Sequence, residues 1–148
     1  MRPGDLLKCS QVMKAPLSTV GNNRMNVFIV EDALETRKEL ADLLADEKGF
    51  VVVGEAGSVR EALIGIEATL PEAVLLDISL PDGSGVEVLK FIRQHDLKLS
   101  VVVLTSNPYD ALRTKCQSLG AAAVLDKLEG LDQVRGTLLA LSPRLEGN

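Results

Sequence analysis

Five short runs in this chain are apolar without interruption: residues 27–30 (VFIV), 50–53 (FVVV), 73–76 (AVLL), 101–104 (VVVL) and 121–125 (AAAVL). A strand with one wet face alternates apolar and polar side chains. Four or five apolar residues in a row are what a strand covered on both faces requires. Between the runs the period changes to that of helices with one buried stripe. Leu40, Leu43 and Leu44 share a face, as do Val59, Leu63, Ile66 and Leu70. The spacing returns in Val88, Phe91 and Ile92, in Leu112, Cys116 and Leu119, and in Leu131, Val134, Leu138 and Leu141. Ser58 is a predicted N-cap, and Gly49 and Gly120 stand where helices should stop.

Strand followed by helix, five times over, predicts a parallel sheet with helices on both faces. Right-handed crossovers leave few topologies for such a chain. The expected fold is α/β: a flavodoxin-like, doubly wound (βα)5 sheet with strand order 2-1-3-4-5. Residues 25–148 form its domain. Residues 1–24 fit no element and end in the run GNNR. They read either as a flexible N-terminal arm or as an extension ahead of a natural start at Met25.

Charge is unevenly spread. Arg2, Lys8, Lys14 and Arg24 against Asp5 give the first 24 residues +3, which leaves −8 for the rest of a chain at −5 overall. A domain that acidic repels phosphate backbones, so direct nucleic-acid binding is not expected. No apolar run approaches the roughly 18 residues of a membrane helix. The first residues also lack a continuous apolar stretch of the signal-peptide type, so the expected compartment is the cytoplasm, with no membrane partner. Cys9 and Cys116 are far apart and outline no metal or disulfide framework. They read as a tail thiol and a half-buried helix residue.

In an open α/β sheet, ligands bind beyond the carboxyl ends of the strands where the winding reverses, here between strands one and three. Strand one ends in Glu31-Asp32 and strand three in Asp77. Three carboxylates so placed would push at least one pKa up by like-charge repulsion, and a divalent cation removes the conflict. Hard oxygen donors suit Mg²⁺, which keeps several waters and takes one or two protein carboxylates. Strand four ends in Thr105, and Lys127 follows strand five. A hydroxyl and an ammonium at the same mouth suit an anionic group on Asp77. A carboxylate nucleophile that takes a phosphoryl group forms an acyl phosphate, whose charge metal and lysine offset. Singly, such an Asp is more often a helix cap, and such a Thr or Lys more often a surface residue. Jointly, each residue terminates the correct strand in order.

The pattern resembles the receiver domain of two-component signalling. "VFIVEDALETRKELADLL" is similar to that family's first strand and helix, and "AVLLDISLPDGSGVEVLKFIR" to its phosphorylation segment, with the Leu-Pro-Asp-Gly turn. "VVVLTSN" and "VLDK" resemble the fourth- and fifth-strand signatures, and the intervals from Asp32 to Asp77, Thr105 and Lys127 also fit. The resemblance covers about residues 25–141. It implies that Asp77 is the phospho-acceptor, Thr105 the switch hydroxyl and Lys127 the partner of the phosphoryl group. It further implies Mg²⁺ held by Glu31, Asp32, Asp77 and the backbone carbonyl of Ser79. The phosphoryl donor would be a histidine kinase or histidine phosphotransfer protein. The domain would be no enzyme beyond promoting its own phosphorylation and dephosphorylation. Two positions depart from the family: Val124 stands where an aromatic is common, and Leu128 follows Lys127 where proline is common. Tyr109 could serve as a substitute aromatic, a surface role being the plainer reading.

Only 21 residues follow Lys127, so the expectation is a single-domain response regulator with output by protein–protein interaction. The rival is a receiver-fold interaction module that takes no phosphate. An Asp-nucleophile phosphatase would want a second acid two residues after Asp77, where Ser79 stands. "GSGVEV" lacks the third glycine of a dinucleotide loop. His95, the one histidine, reads as a solvated helix residue.

Overall fold

The protein is described by a computed structural model over residues 24–46 and 48–142. The predicted arm, with Cys9, lies outside the described residues apart from Arg24. Strands β1 (Met25–Val30), β2 (Phe50–Ala56), β3 (Ala73–Asp77), β4 (Ser100–Thr105) and β5 (Ala123–Asp126) alternate with five helices. These are α1 (Leu34–Ala45), α2 (Val59–Thr69), α3 (Gly85–Gln94), α4 (Asp110–Ser118) and α5 (Asp132–Leu141). The strands form one parallel sheet in the order β2-β1-β3-β4-β5, which is the predicted winding.

The apolar runs of β1, β3, β4 and β5 supply both faces of the sheet, whereas that of β2 reaches one core only, through Phe50 and Val52. Phe28, Val30, Val74, Leu76, Val101 and Val103 pack under α2, α3 and α4. Val27, Ile29, Leu75, Val102 and Leu104 pack under α1 and α5, against Leu40, Leu44, Val134 and Leu138. Central β3 is buried at every residue, Asp77 included. That is why its sequence shows no polar alternation.

Some helix details differ from the periodic reading. Leu70 does not close the α2 stripe; it is a left-handed C-cap at φ 46° and is exposed, while Ala62 takes the inner position with Val59 and Ile66. Pro71 follows, and the residue before a proline is driven out of the right-handed helical region. Helix α1 stops at Ala45, ahead of Gly49, whereas Gly120 follows the cap of α4 at φ 100° as predicted. Cys116 is fully buried rather than half-buried, and burial pushes its thiol pKa up. No described helix is long and apolar enough to cross a membrane.

The loop from β3 to α3 is tied at several points. Its Leu-Pro-Asp-Gly turn closes a small hairpin whose arms are Ser79–Leu80 and Gly83–Ser84. Asp82 at the tip accepts hydrogen bonds from Val59 N (2.7 Å) and Arg60 N (3.0 Å), so it caps α2 from across the fold. Those two N–H groups hold its carboxyl below the usual range. Ser58 caps the same helix through Glu61 N, as predicted. At the other end Ser84 accepts from Val86 N, and Glu87 reaches back to Ser84 N in a capping box. Gly85 closes the loop: its N–H donates to Ile78 O at 2.7 Å, and a Cβ here would stand 2.3 Å from Asp77 O.

Because that obstruction is backbone, Gly85→Ala should destabilise the fold by about 2 kcal/mol. Urea unfolding measures it; an unchanged midpoint would mean that the loop does not sit this close to β3.

Candidate functional site

Parallel strands deliver their carboxyl ends to one edge, and register decides which residues meet there. Val30 pairs with Leu76, so Glu31 and Asp77, one residue further on each strand, arrive level. Asp77 pairs with Leu104 and Thr105 with Asp126, which brings the hydroxyl and the lysine turn to the same height.

Lys127 ties the mouth together. Its ammonium donates to Glu31 Oε1 at 2.7 Å and to Asp77 Oδ2 at 3.3 Å. Glu31 is 1% exposed, and its other oxygen accepts from Ala33 N at 3.1 Å. Asp77 is 5% exposed and accepts from Ser79 N at 3.3 Å through Oδ1. Thr105 is buried alongside, with Oγ1 accepting from Asn107 N at 3.2 Å. Asp32 is exposed. Glu31, Asp32 and Asp77 each offer one oxygen within 4.8 Å of the others.

Glu31 titrates above the ordinary glutamate value. Desolvation is the main cause, opposed by the bonds from Lys127 and Ala33, and the Asp77 charge adds only a smaller push. The upward shift predicted from crowding is present, but burial drives it more than repulsion does. Burial pulls Lys127 down, yet its bond to Glu31 and the charges of Asp77 and Glu31 outweigh that, so it stays an ammonium at neutral pH.

The donor set fits a small hard cation. Three carboxylate oxygens can share one ion, and one of the acids opens to solvent, from which the ion's waters would come. Glu31 and Asp77 each have a partner on both oxygens, so the exposed Asp32 carries the freer lone pairs. Ser79 stands at the start of the hairpin, next to Asp77.

The two departures from the family pattern have local structural counterparts. Val124 is buried, and its carbonyl accepts from Arg113 Nη1 at 2.8 Å, which fastens β5 to α4. After Lys127 the chain makes a 3-10 turn, Lys127–Glu129, capped by Asp126, which accepts from Leu128 N at 2.8 Å. Tyr109 is exposed at the start of α4 and lines a cavity of about 410 Å³ beside Thr105. His95 is exposed as the C-cap of α3, with Nδ1 bonded to Phe91 O at 2.9 Å. Sequence reading missed Asp82 and Asp126 as caps and Arg37 as a contact of the Glu31 carbonyl, which it meets at 3.1 Å. Asp82 did lie in a quoted turn, but its helix begins 23 residues upstream and nothing local names the pairing.

A family model described as the response regulator receiver domain matches residues 27–138. The chain is 35% identical over 112 residues to the DNA-binding transcriptional activator DevR/DosR of Mycobacterium tuberculosis, covering 75% of this chain and 52% of that protein. It is also 35% identical over 112 residues to the response regulator GacA of Pseudomonas protegens, covering 74% and 52%. Among solved structures, the CheX–CheY–BeF3–Mg²⁺ complex of Borrelia burgdorferi superposes with a TM-score of 0.73 at 26% identity, covering 79% of this chain and 88% of that one. The chain spans about half the length of these two sequence relatives. The expectation that nucleic acid takes no part finds no support here, since the first relative's name marks it as DNA-binding.

Removing the Lys127 ammonium leaves two buried carboxylates without their cation. In metal-free buffer at pH 7, Lys127→Met should cost about 3 kcal/mol of stability. Glu31 has a folded pKa above its unfolded one, so its contribution is fully present below the unfolded value and is lost as pH rises through the folded one. Without Lys127 that rise is larger, so the penalty should shrink as pH falls toward 4.5. Urea unfolding across that range measures it; a penalty independent of pH would contradict the arrangement.

Proposed function

The chain belongs to the response regulator receiver domain family, and from that premise we propose that it accepts a phosphoryl group on Asp77 from a phosphohistidine of a kinase or phosphotransfer protein. The observation that carries the reading is the Lys127 ammonium bridging Glu31 and Asp77 at the open ends of the strands. An Asp77 oxygen attacks phosphorus, the P–N bond to the donor imidazole breaks, and an acyl phosphate forms. Lys127, already 3.3 Å from Asp77, can follow the new charge onto a phosphoryl oxygen. Thr105 Oγ1 accepts from Asn107 N, which leaves its own proton to donate to the same group. Ser79 N–H keeps Asp77 turned toward the mouth.

Mg²⁺ would be held by Asp32 and Asp77, with Glu31 alongside and the Ser79 carbonyl as a further ligand. When bound, it supplies positive charge against the phosphoryl oxygens. The domain carries no second catalytic duty in this reading; it promotes only its own phosphorylation and dephosphorylation. Support for a protein donor comes from the surroundings of the mouth. Leu34 and Leu128 are exposed at 70% and 78% on the two segments that flank it, and a cleft of about 720 Å³ opens between α1 and the Lys127 turn.

For output we propose contact with another protein through α4, the Lys127 turn and α5. The DNA-binding relative favours a second version, in which this receiver governs DNA binding by a partner domain.

Acetyl phosphate or beryllofluoride with Mg²⁺ should modify the wild-type protein, and Asp77→Asn should abolish the response. Intact mass reads the first reagent and thermal shift the second. A wild type that gains no phosphoryl mass and shows no shift would instead favour an interaction module that takes no phosphate.

A further inference from the structure

Glu31 and Asp32 are adjacent in sequence but are held in different ways. The Glu31 carboxylate is pinned on both oxygens, by Lys127 and by Ala33 N. Among the described residues, no side-chain hydrogen bond or ion pair holds the exposed Asp32 carboxylate. Its place is therefore set by its own backbone, and that backbone is fastened from outside. Glu31 N–H donates to Ala56 O at 2.9 Å, which ties the near side of Glu31 to β2. The far side, the peptide group leading into Asp32, is tied by Arg37: Nη1 donates to Glu31 O at 3.1 Å. The same guanidinium is anchored in turn, with Nε 3.4 Å from Glu55 Oε1 at the end of β2 and the Arg37 side chain only 19% exposed. Room for it comes from Gly57, where a Cβ would stand 2.8 Å from Arg37 Nη1 and otherwise in ordinary contact with its neighbours.

We infer that Arg37 is a positioning residue for the cation seat: it orients the Glu31–Asp32 peptide group so that the Asp32 carboxylate stays within reach of Glu31 and Asp77. The role rests on the reading that these acids bind a divalent cation. It deepens that reading by adding a cation of the protein's own that aids metal binding. Charge alone would give Arg37 the opposite effect. A guanidinium beside three acids repels Mg²⁺, so deleting it would tighten binding if electrostatics were its whole contribution. Positioning weakens binding on deletion, and the two accounts differ in sign.

Gly57→Ala supplies a second variant that leaves every charge in place. Its methyl crowds the far end of a flexible side chain and makes only ordinary contact with Asp32 Cα and Glu31 O, so the guanidinium shifts while the fold is spared. The test is calorimetric titration of the full chain with MgCl2 at pH 7, comparing wild type, Arg37→Gln and Gly57→Ala, with urea midpoints in EDTA as the check on folding. Arg37→Gln should weaken Mg²⁺ about tenfold, the usual scale for losing a group that orients a ligand. Gly57→Ala should move the same way and decides the matter alone if Arg37→Gln fails to fold. A wild type that binds Mg²⁺ while either folded variant binds it equally well or more tightly overturns the role of Arg37 alone. A wild type that binds no Mg²⁺ overturns the cation seat, and this role with it.

Discussion

Two carboxylates, Glu31 and Asp77, are buried side by side, and an ammonium from another strand end lies between them. Buried charges are tolerated only when they are paired and hydrogen-bonded. Here Lys127 reaches both acids, and backbone N–H groups of Ala33 and Ser79 take further oxygens. The parallel sheet makes this possible. It ends β1 and β3 level with each other and brings the turn after β5 back over the same edge. A slip of one residue in any of these registers would turn an acid into the core and an aliphatic side chain into the mouth.

Around that ion cluster the loops are fastened by caps as well as by the apolar packing of Ile78 and Leu80. Asp82 ties the hairpin after Asp77 to the start of α2, Ser84 and Glu87 tie its other end to α3, and Asp126 shapes the turn that carries Lys127. Each bond satisfies an N–H that a helix start leaves without a partner. The consequence is a mouth whose inner walls are well constrained. Asp32, in contrast, is exposed and depends on its backbone for its direction. An arrangement of that kind would offer a divalent ion one solvent-open carboxylate beside two buried ones, consistent with Mg²⁺ keeping several of its own waters.

The family match and the geometry bear on different questions. The match over residues 27–138 establishes the family, and the superposition with receiver structures agrees with the winding of the sheet. What the chain's own residues can do follows from distances at one edge of it. Val124 and Leu128 show why both are needed. The family pattern marks them as departures, whereas the coordinates show Arg113 on the Val124 carbonyl and Asp126 capping the turn at Leu128.

Much of this was legible from the order of residues alone. Uninterrupted apolar runs require strands covered twice, and five of them with helical intervals leave one economical winding. The same order places Glu31, Asp32, Asp77, Thr105 and Lys127 at successive strand ends, because a strand's last residue is a local matter. Other features were not legible: the capping of α2 by Asp82, the grip of Arg37 on the Glu31 carbonyl, and burial as the chief cause of the raised Glu31 pKa. Those depend on which side chains share a neighbourhood after the sheet has closed. Sequence records spacing along the chain, whereas desolvation and hydrogen bonds between distant segments depend on distances through space, which only the packed fold determines.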